Sequence, residues 1–431
     1  MTRSSSLAKR LNALVAGPRE RDMASTPARR PSESPRLFRA ARRVPLNSAG
    51  PRSRALELLG DFGGAGLGRP EVKGRLVFLD TETTGLGTGP GVRVFLVGLA
   101  WREGDELVVE QRMLLDFEPE AELLAWVRET LAARADALVT YNGASFDLPL
   151  LETRRIMQRV EPVLPGGPHL DLLHRARALW RGTLSSCSLV SLERAVLGFE
   201  RPDDLPGGAQ PAAWLDMVRS GNRALLPSIL DHNADDLVSL AALTGLVGHA
   251  YAGGAVGGPR VQTNLGRSQL RLGRLDAAHR AFSRAEKRGA TGRELWEPWT
   301  TVLRRLDRRE DEARILRLWI EGEFDVEPHE RLARLLEHRE KDRAGALEVC
   351  RAALARLRFT GALRAASSAA PWSGLGDSPE VGRVSGEEAR LRRRMARLES
   401  GPRRRRPTPH AARSRDQLPP VRNHGDSIAC S

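Results

Sequence analysis

The run RLVFLD at residues 75–80 constrains this chain most. It is a short apolar stretch ending in an acid, as a buried strand does where it surfaces at a sheet edge. TETTGLGTGPG (81–91) follows as a Gly/Thr turn region, and Glu82 stands two positions after Asp80. Residues two apart on a strand face the same side, so both carboxylates leave one face. VRVFLVGLAW (92–101) and ELVVEQRML (106–114) are β-branched runs separated by REGD, which predicts three successive antiparallel strands. PEAELLAWVRETLAA (119–133) has helical spacing, with Pro119 at its start. ALVTYN (137–142) reads as another buried strand leading into the loop GASFD, and helical patterns then dominate to about Val247. Three strands, a helix, a strand and then helices predict an α/β layered domain.

Charge marks the rest of the 431 residues, whose net value is +14 at pH 7. Residues 1–56 hold 13 Lys+Arg against 3 acids, and 361–431 hold 14 against 7. The middle segment 57–248 is acidic, with 18 against 27. The expected organisation is a basic, largely disordered arm (1–70), the α/β domain (71–248) and a Gly-rich linker (249–262). Helical repeats (263–358) and an Arg-rich disordered tail (359–431) follow. The arms, rich in Arg, Pro, Ser and Gly, lack the apolar residues for a core. They are either solvated extensions or polyanion-binding arms, since clustered arginines contact phosphates without reading sequence. No apolar run of about 18 residues exists to span a membrane. Three scattered cysteines suit a reducing interior, so the expected location is cytoplasmic.

Within the helical part, Leu265, Gly266, Gly273, Ala278, Phe282 and Ala285 stand at the relative positions of a tetratricopeptide (TPR) hairpin. Ala313 and Ala346 follow Ala278 at intervals of 35 and 33 residues, near the repeat's period. A plain helical bundle is the other reading of the same pattern. Either way this part is expected to make interactions rather than carry chemistry, with a protein partner in the TPR reading.

The chemistry rests on acids from separate segments: Asp80, Glu82, Asp147 in YNGASFD, and Asp236 in DHNADDLVSL. Hard oxygen ligands suit Mg²⁺ or Mn²⁺. Four carboxylates brought together would repel strongly without cations. A pair of divalent ions about 3.5–4 Å apart can hydrolyse a phosphodiester. Taken singly, each motif also has a plain explanation: strand-end solvation for the D-x-E, a helix cap for Asp147, and surface acids for Asp235 and Asp236.

LDTETTGLG resembles the first motif of the DEDD exonucleases of the ribonuclease H-like superfamily. YNGASFDLPLL resembles their second motif and HNADDLVSLAAL their third. More narrowly, HLDLLHRARALW through SLVSLERAVLGFERPDDLPG to the HN-x-x-D block is similar to the YprB-like ribonuclease H-like family. Members of that family often carry a TPR region after the nuclease-like domain. The resemblance implies a metal-dependent 3′–5′ exonuclease acting on single-stranded nucleic-acid ends. It implies that Asp80, Glu82, Asp147 and Asp236 hold two Mg²⁺ or Mn²⁺ ions, with Asp235 the neighbouring candidate for the last place. His232 is the expected general base, because an imidazole of near-neutral pKa can take a proton from the attacking water. Its position four residues before Asp236, rather than five, departs from the histidine-type subgroup. The resemblance places Thr83, Gly85 and Leu86 against the terminal nucleotide, and Asn142 and Phe146 are expected to line the strand groove. Asp171 is read as a helix cap or a support for the ligands. The RPDDLPG element (201–207) has no chemical role assigned to it. The competing expectation is a catalytically weak nucleic-acid-binding scaffold working through its helical repeats.

Overall fold

The structure, a computed structural model, describes residues 36–47, 49–60, 67, 74–85, 87–164, 166–201, 208–323, 325–368 and 379–400. Over 361–368 and 379–385 it describes the backbone alone. Leu86, residues 202–207 of the RPDDLPG element, the arm to residue 35 and the tail from 401 lie outside the described residues.

The expected α/β class holds, as a mixed sheet flanked by helices and followed by a helical region. Six strands make one sheet: β1 (Leu37–Pro45), β2 (Leu76–Thr83), β3 (Val94–Glu103), β4 (Glu106–Leu114), β5 (Ala137–Thr140) and β6 (His169–Asp171). Their order across the sheet is β1-β4-β3-β2-β5-β6. The antiparallel trio forms as expected, with Phe78 opposite Ala100 and Ala100 opposite Val109. On the other side of β2, β5 and then β6 run parallel to it. The carboxyl ends of these three parallel strands therefore meet at one sheet edge, where α/β proteins place their sites.

Period-2 alternation along β2 feeds two cores. Phe78 packs on one face with Val139, Leu237 and Ala241. Val77 and Leu79 pack on the other with Leu99, Leu123, Val127 and Leu150. The second face is covered by α2 (Glu120–Arg134), α3 (Asp147–Gln158) and α6 (Ala209–Ser220). The first carries α1 (Ser53–Gly60), α4 (Leu172–Trp180), α5 (Leu189–Leu192) with its π-type turn at Glu193–Leu197, and α7 (Leu226–Ala252). Helix α7 has 27 residues, about 40 Å of rod.

The arm expected over 1–70 is not disordered throughout. Residues 37–45 form the edge strand β1, paired antiparallel with β4 over Leu37–Pro45. Its arginines hid the alternation: Phe38, Ala40 and Val44 are half-buried, while the exposed Arg39 and Arg43 between them pair with Glu122 and with Glu103 and Glu106. Charged side chains on an edge strand also discourage pairing with other chains. Helix α1 buries Ala55, Leu56 and Leu59. It crosses α7 so closely that a Cβ on Gly245 would lie 2.4 Å from the Ala55 carbonyl oxygen.

The linker expected over 249–262 is also shorter than the composition suggests. Helix α7 continues to Ala252 and α8 (Pro259–Arg271) starts at Pro259. Val256, Val261 and Leu265 share the core that contains Val247 and Tyr251. Tyr251 and Ser268 hydrogen-bond through their hydroxyls at 2.6 Å, and Gln269 donates to the Tyr251 carbonyl at 3.0 Å.

Helix α8 pairs with α9 (Leu275–Lys287), and α10 (Arg293–Arg305) with α11 (Arg309–Gly322). Gly266 admits the Phe282 ring, to which an added Cβ would come within 2.5 Å. Ala278 and Ala313 are buried. A second unit begins at residue 324 and holds α12 (Val326–Leu335), α13 (Arg343–Ser368) and α14 (Pro379–Glu399). The tail expected to be disordered from 359 thus holds the end of α13 and all of α14. Leu391 and Leu398 of α14 are buried, and Arg394 and Arg397 pair with Glu337. Among the described residues no helix is long and apolar enough to cross a membrane.

Because Gly245 leaves no room for a methyl group between α1 and α7, Gly245→Ala should cost about 1–3 kcal/mol by overpacking. Urea unfolding of the full chain measures it; an unchanged midpoint would show that the contact is not tight.

Candidate functional site

Asp80 and Glu82 leave β2 on the face covered by α7, opposite Gly98 and Leu96 of β3. The register shifts between Glu82 and Thr83, so the strand ends in an irregularity that re-aims its last side chains. Thr81 points to the other face and donates its hydroxyl to Asp147 at 2.5 Å. Asp147 opens α3 and is buried.

The loop before Asp147 is held tightly. Asn142 adopts a left-handed conformation with φ 67°, which asparagine tolerates better than most residues. A Cβ on Gly143 would lie 2.5 Å from Thr140 side-chain atoms. Asp171 at the end of β6 accepts from the backbone N–H groups of Asn142 (2.8 Å) and Ala144 (3.2 Å). It also caps α4 through Leu173 N–H at 3.1 Å. Both expected roles of Asp171 therefore hold at once: it caps a helix and positions the loop that delivers Asp147.

From the first half of α7 come His232, Asn233 and Asp236. His232 Nε2 lies 3.7 Å from Glu82 Oε1 and 3.5 Å from Asp236 Oδ2. Ligand atoms of Glu82, His232 and Asp236 all fall within 4.8 Å of one another. Asp235 turns away, to Arg52 at 2.9 Å, so the neighbouring candidate is committed to an ion pair outside the cluster.

Three features were not identified from the sequence. Asn233 donates to Asp80 Oδ2 at 2.7 Å and accepts at its own Oδ1 from Gln111 Nε2 at 2.8 Å. Gly98 makes this possible, since a Cβ there would lie 2.1 Å from Asn233 Oδ1. Arg201 holds Glu193 through two bonds at 2.7 and 2.8 Å and also donates to Asp236. Its Nη1 meets His232 Nδ1 at 3.1 Å. A guanidinium only donates, so Nδ1 accepts and Nε2 is the nitrogen that carries the proton toward the carboxylates. The RPDDLPG element thus gains a role through its first residue. The only signal for it was an arginine flanked by acids at an otherwise unexplained place.

The electrostatics follow from burial and crowding. Burial, then repulsion from Asp236, Asp147 and Glu82, pushes the Asp80 carboxyl well up. Burial raises Glu82 to about 8, with His232 opposing. Burial raises Asp147 to about 6 against the Thr81 hydrogen bond. Asp236 is raised by burial, partly offset by Arg201 and His232. These groups share one neighbourhood, and their oxygen donors fit a hard divalent cation.

The residues expected to touch substrate are placed less decisively. The Thr83 hydroxyl donates to the Gly85 carbonyl at 2.7 Å and so shapes the turn after β2. Asn142 is exposed and Phe146 half-buried.

Comparison with known proteins agrees with this architecture. Residues 77–247 match the RNase_H_2 family model, described as RNase_H superfamily. The chain is 38% identical over 172 residues to the uncharacterized protein YprB of Bacillus subtilis (strain 168). That alignment takes in 40% of this chain and spans 41% of the relative's length. Residues 77–247, well under half of the chain, are thus similar to the RNase H superfamily.

The raised carboxyls predict a pH-dependent fold. Between their ordinary values of 4.5 and 3.8 and the folded values of about 8 and about 6, Glu82 and Asp147 hold protons that the unfolded chain has released. Stability in chelator should therefore be greatest below about pH 4 as far as these groups are concerned, and fall as pH rises through 6 and 8. Glu82→Gln should flatten the upper part of that fall, and Mn²⁺ should oppose it in the unaltered chain. Denaturant midpoints across this range test the sign; a midpoint that rises steadily to pH 8 contradicts it.

Proposed function

We propose that the chain is a metal-dependent nuclease that hydrolyses phosphodiester bonds of nucleic acid, working as a 3′–5′ exonuclease on single-stranded ends. The observation that supports it most is the cluster of Glu82, His232 and Asp236, with Asp80 and Asp147 near enough to act on it electrostatically and all four carboxyls raised chiefly by burial, at one edge of an RNase H superfamily domain. A set of buried, mutually repelling acids is costly without a cation, and no other described feature of the fold accounts for it.

In this reading Asp80, Glu82, Asp147 and Asp236 hold two Mg²⁺ or Mn²⁺ ions. When bound, such ions polarise the phosphodiester and stabilise charge on the leaving oxygen. The chain's own groups do the rest. Asn233 and Gln111 orient Asp80, Thr81 orients Asp147, and Arg201 orients Asp236. His232 offers its Nε2–H toward Glu82 and Asp236 while Nδ1 accepts from Arg201, which positions it beside the attacking water; it takes that water's proton at Nε2 only once its own proton has moved to an Nδ1 released by Arg201. Thr83 and Gly85 would border the terminal nucleotide, and Asn142 and Phe146 the strand groove. In the tetratricopeptide reading the helical pairs add a binding surface, not chemistry.

The test is incubation of the full chain with end-labelled single- and double-stranded DNA and RNA in Mg²⁺ or Mn²⁺. Asp80→Asn and Glu82→Gln should each lose at least about a hundredfold in rate, more than typical supporting residues of a metal site. His232→Gln should lose about 10²–10⁴-fold while keeping the Mn²⁺-induced thermal shift. Undiminished cleavage by Asp80→Asn would sink the assignment. Absence of cleavage on all four substrates, with binding retained, would favour the scaffold alternative.

A further inference from the structure

Helix α4 starts immediately after Asp171, the residue that ties the loop of Asn142 and Ala144. Its outer face carries His174 and Arg177, and Arg181 follows just past its last residue. Helix α8 lies beside it, fixed by Asn264, whose amide donates to the carbonyls of Leu179 (2.9 Å) and Arg181 (3.1 Å). The facing side of α8 carries Arg260, Arg267 and Arg271, spaced seven and four residues apart. The two stripes border a single open cleft of about 480 Å³. Arg260 and Arg267 share one acid, Glu294. Among the described residues, Arg177, Arg181 and Arg271 have no carboxylate within ion-pair distance.

A basic residue at the C-terminus of a single helix is ordinary, because it complements the helix dipole. That accounts for Arg271 or Arg177 alone. It does not account for two helices turning five arginines and a histidine toward one cleft, with one acid at its rim. Nor does overall composition, since the segment 57–248 that supplies Arg177 and Arg181 is net acidic. A polyanion with regularly spaced charges would relieve the repulsion on this surface.

We infer that the α4–α8 cleft is the path of the nucleic-acid strand's phosphate backbone behind the catalytic end; this rests on the nuclease reading above. Length agrees. From Arg260 to Arg271 the face runs about 16 Å, room for about four or five phosphates at 3.4 Å per nucleotide of helical strand. The α4 end of the path is a single helical turn from Asp171 at His174. A strand lying there would have its terminal nucleotide within reach of the loop that presents Asp147. The contacts are guanidinium to phosphate, so the cleft would position without reading sequence.

The experiment uses the full chain and a fluorescent single-stranded oligonucleotide of about 20 nucleotides, in chelator so that nothing is cleaved. Anisotropy is recorded across a salt series for the unaltered chain and for Arg177→Glu/Arg181→Glu/Arg271→Glu. Each lost phosphate contact removes about 0.7 from the slope of log affinity against log salt, so the slope should shrink by about 2. Affinity at low salt should fall at least about tenfold. Because the three side chains are exposed, the thermal midpoint should not move. Cleavage of a dinucleotide, too short to enter the cleft, should proceed at the unaltered rate. Unchanged slope and affinity overturn the proposal. So does equal competition by polyglutamate, which would mark the cleft as a site for acidic protein. If the slope shrinks but no substrate is ever cleaved, the cleft stands and the nuclease assignment falls.

Discussion

Crowding of like charge at one sheet edge is the constraint on which the rest of this structure depends. Burial raises the proton affinity of Asp80, Glu82, Asp147 and Asp236, and repulsion from their neighbours in the set adds to it at Asp80, Glu82 and Asp147. Bringing four acids out of water is tolerable only when donors surround them and cations complete the balance. The donors are visible: Asn233 on Asp80, Thr81 on Asp147, Arg201 on Asp236, and His232 between Glu82 and Asp236. They come from β2 (Thr81), from α7 (His232 and Asn233) and from the segment at Arg201. The strand order, the tight loop at Asn142 and the depth at which α7 lies on the sheet all serve this one meeting point.

Much of this was legible in the sequence because its physics is local. An apolar run ending in an acid marks a strand that stops at a surface, and alternation puts Asp80 and Glu82 on one face. The four-residue step from His232 to Asp236 puts both on one side of a helix. What was not legible depends on contacts between distant segments. Nothing near Gln111 marks it as the donor that fixes Asn233. Gly98 in a β-branched strand could have been a bulge; only the approach of α7 shows why no side chain fits there. Arg201 sits in a segment of mixed charge, where its three acceptors at Glu193, His232 and Asp236 could not be told from ordinary surface partners.

Composition misled where it was averaged. The arginines of LFRAARRVP read as part of a disordered arm, yet Arg39 and Arg43 alternate with the half-buried Phe38, Ala40 and Val44 as in an edge strand. The glycines around 253–258 suggested a linker, although Val256 and Val261 tie both flanking helices into one core. Arginine-rich sequence and helical structure proved compatible from 379 to 399, where Leu391 and Leu398 find burial. Averages over long windows lose the single apolar residues on which such segments fold.

Helix α7 carries His232 and Asp236 near its first third, and its last turn is clamped through Tyr251 to Ser268 and Gln269 of α8. No flexible joint separates these stations, because an unbroken helix of this length bends only gently. The attitude of the α8–α9 pair and the spacing of the acidic side chains are therefore not independent variables. A torque applied to that pair would be felt, through one stiff lever, at the carboxylates themselves.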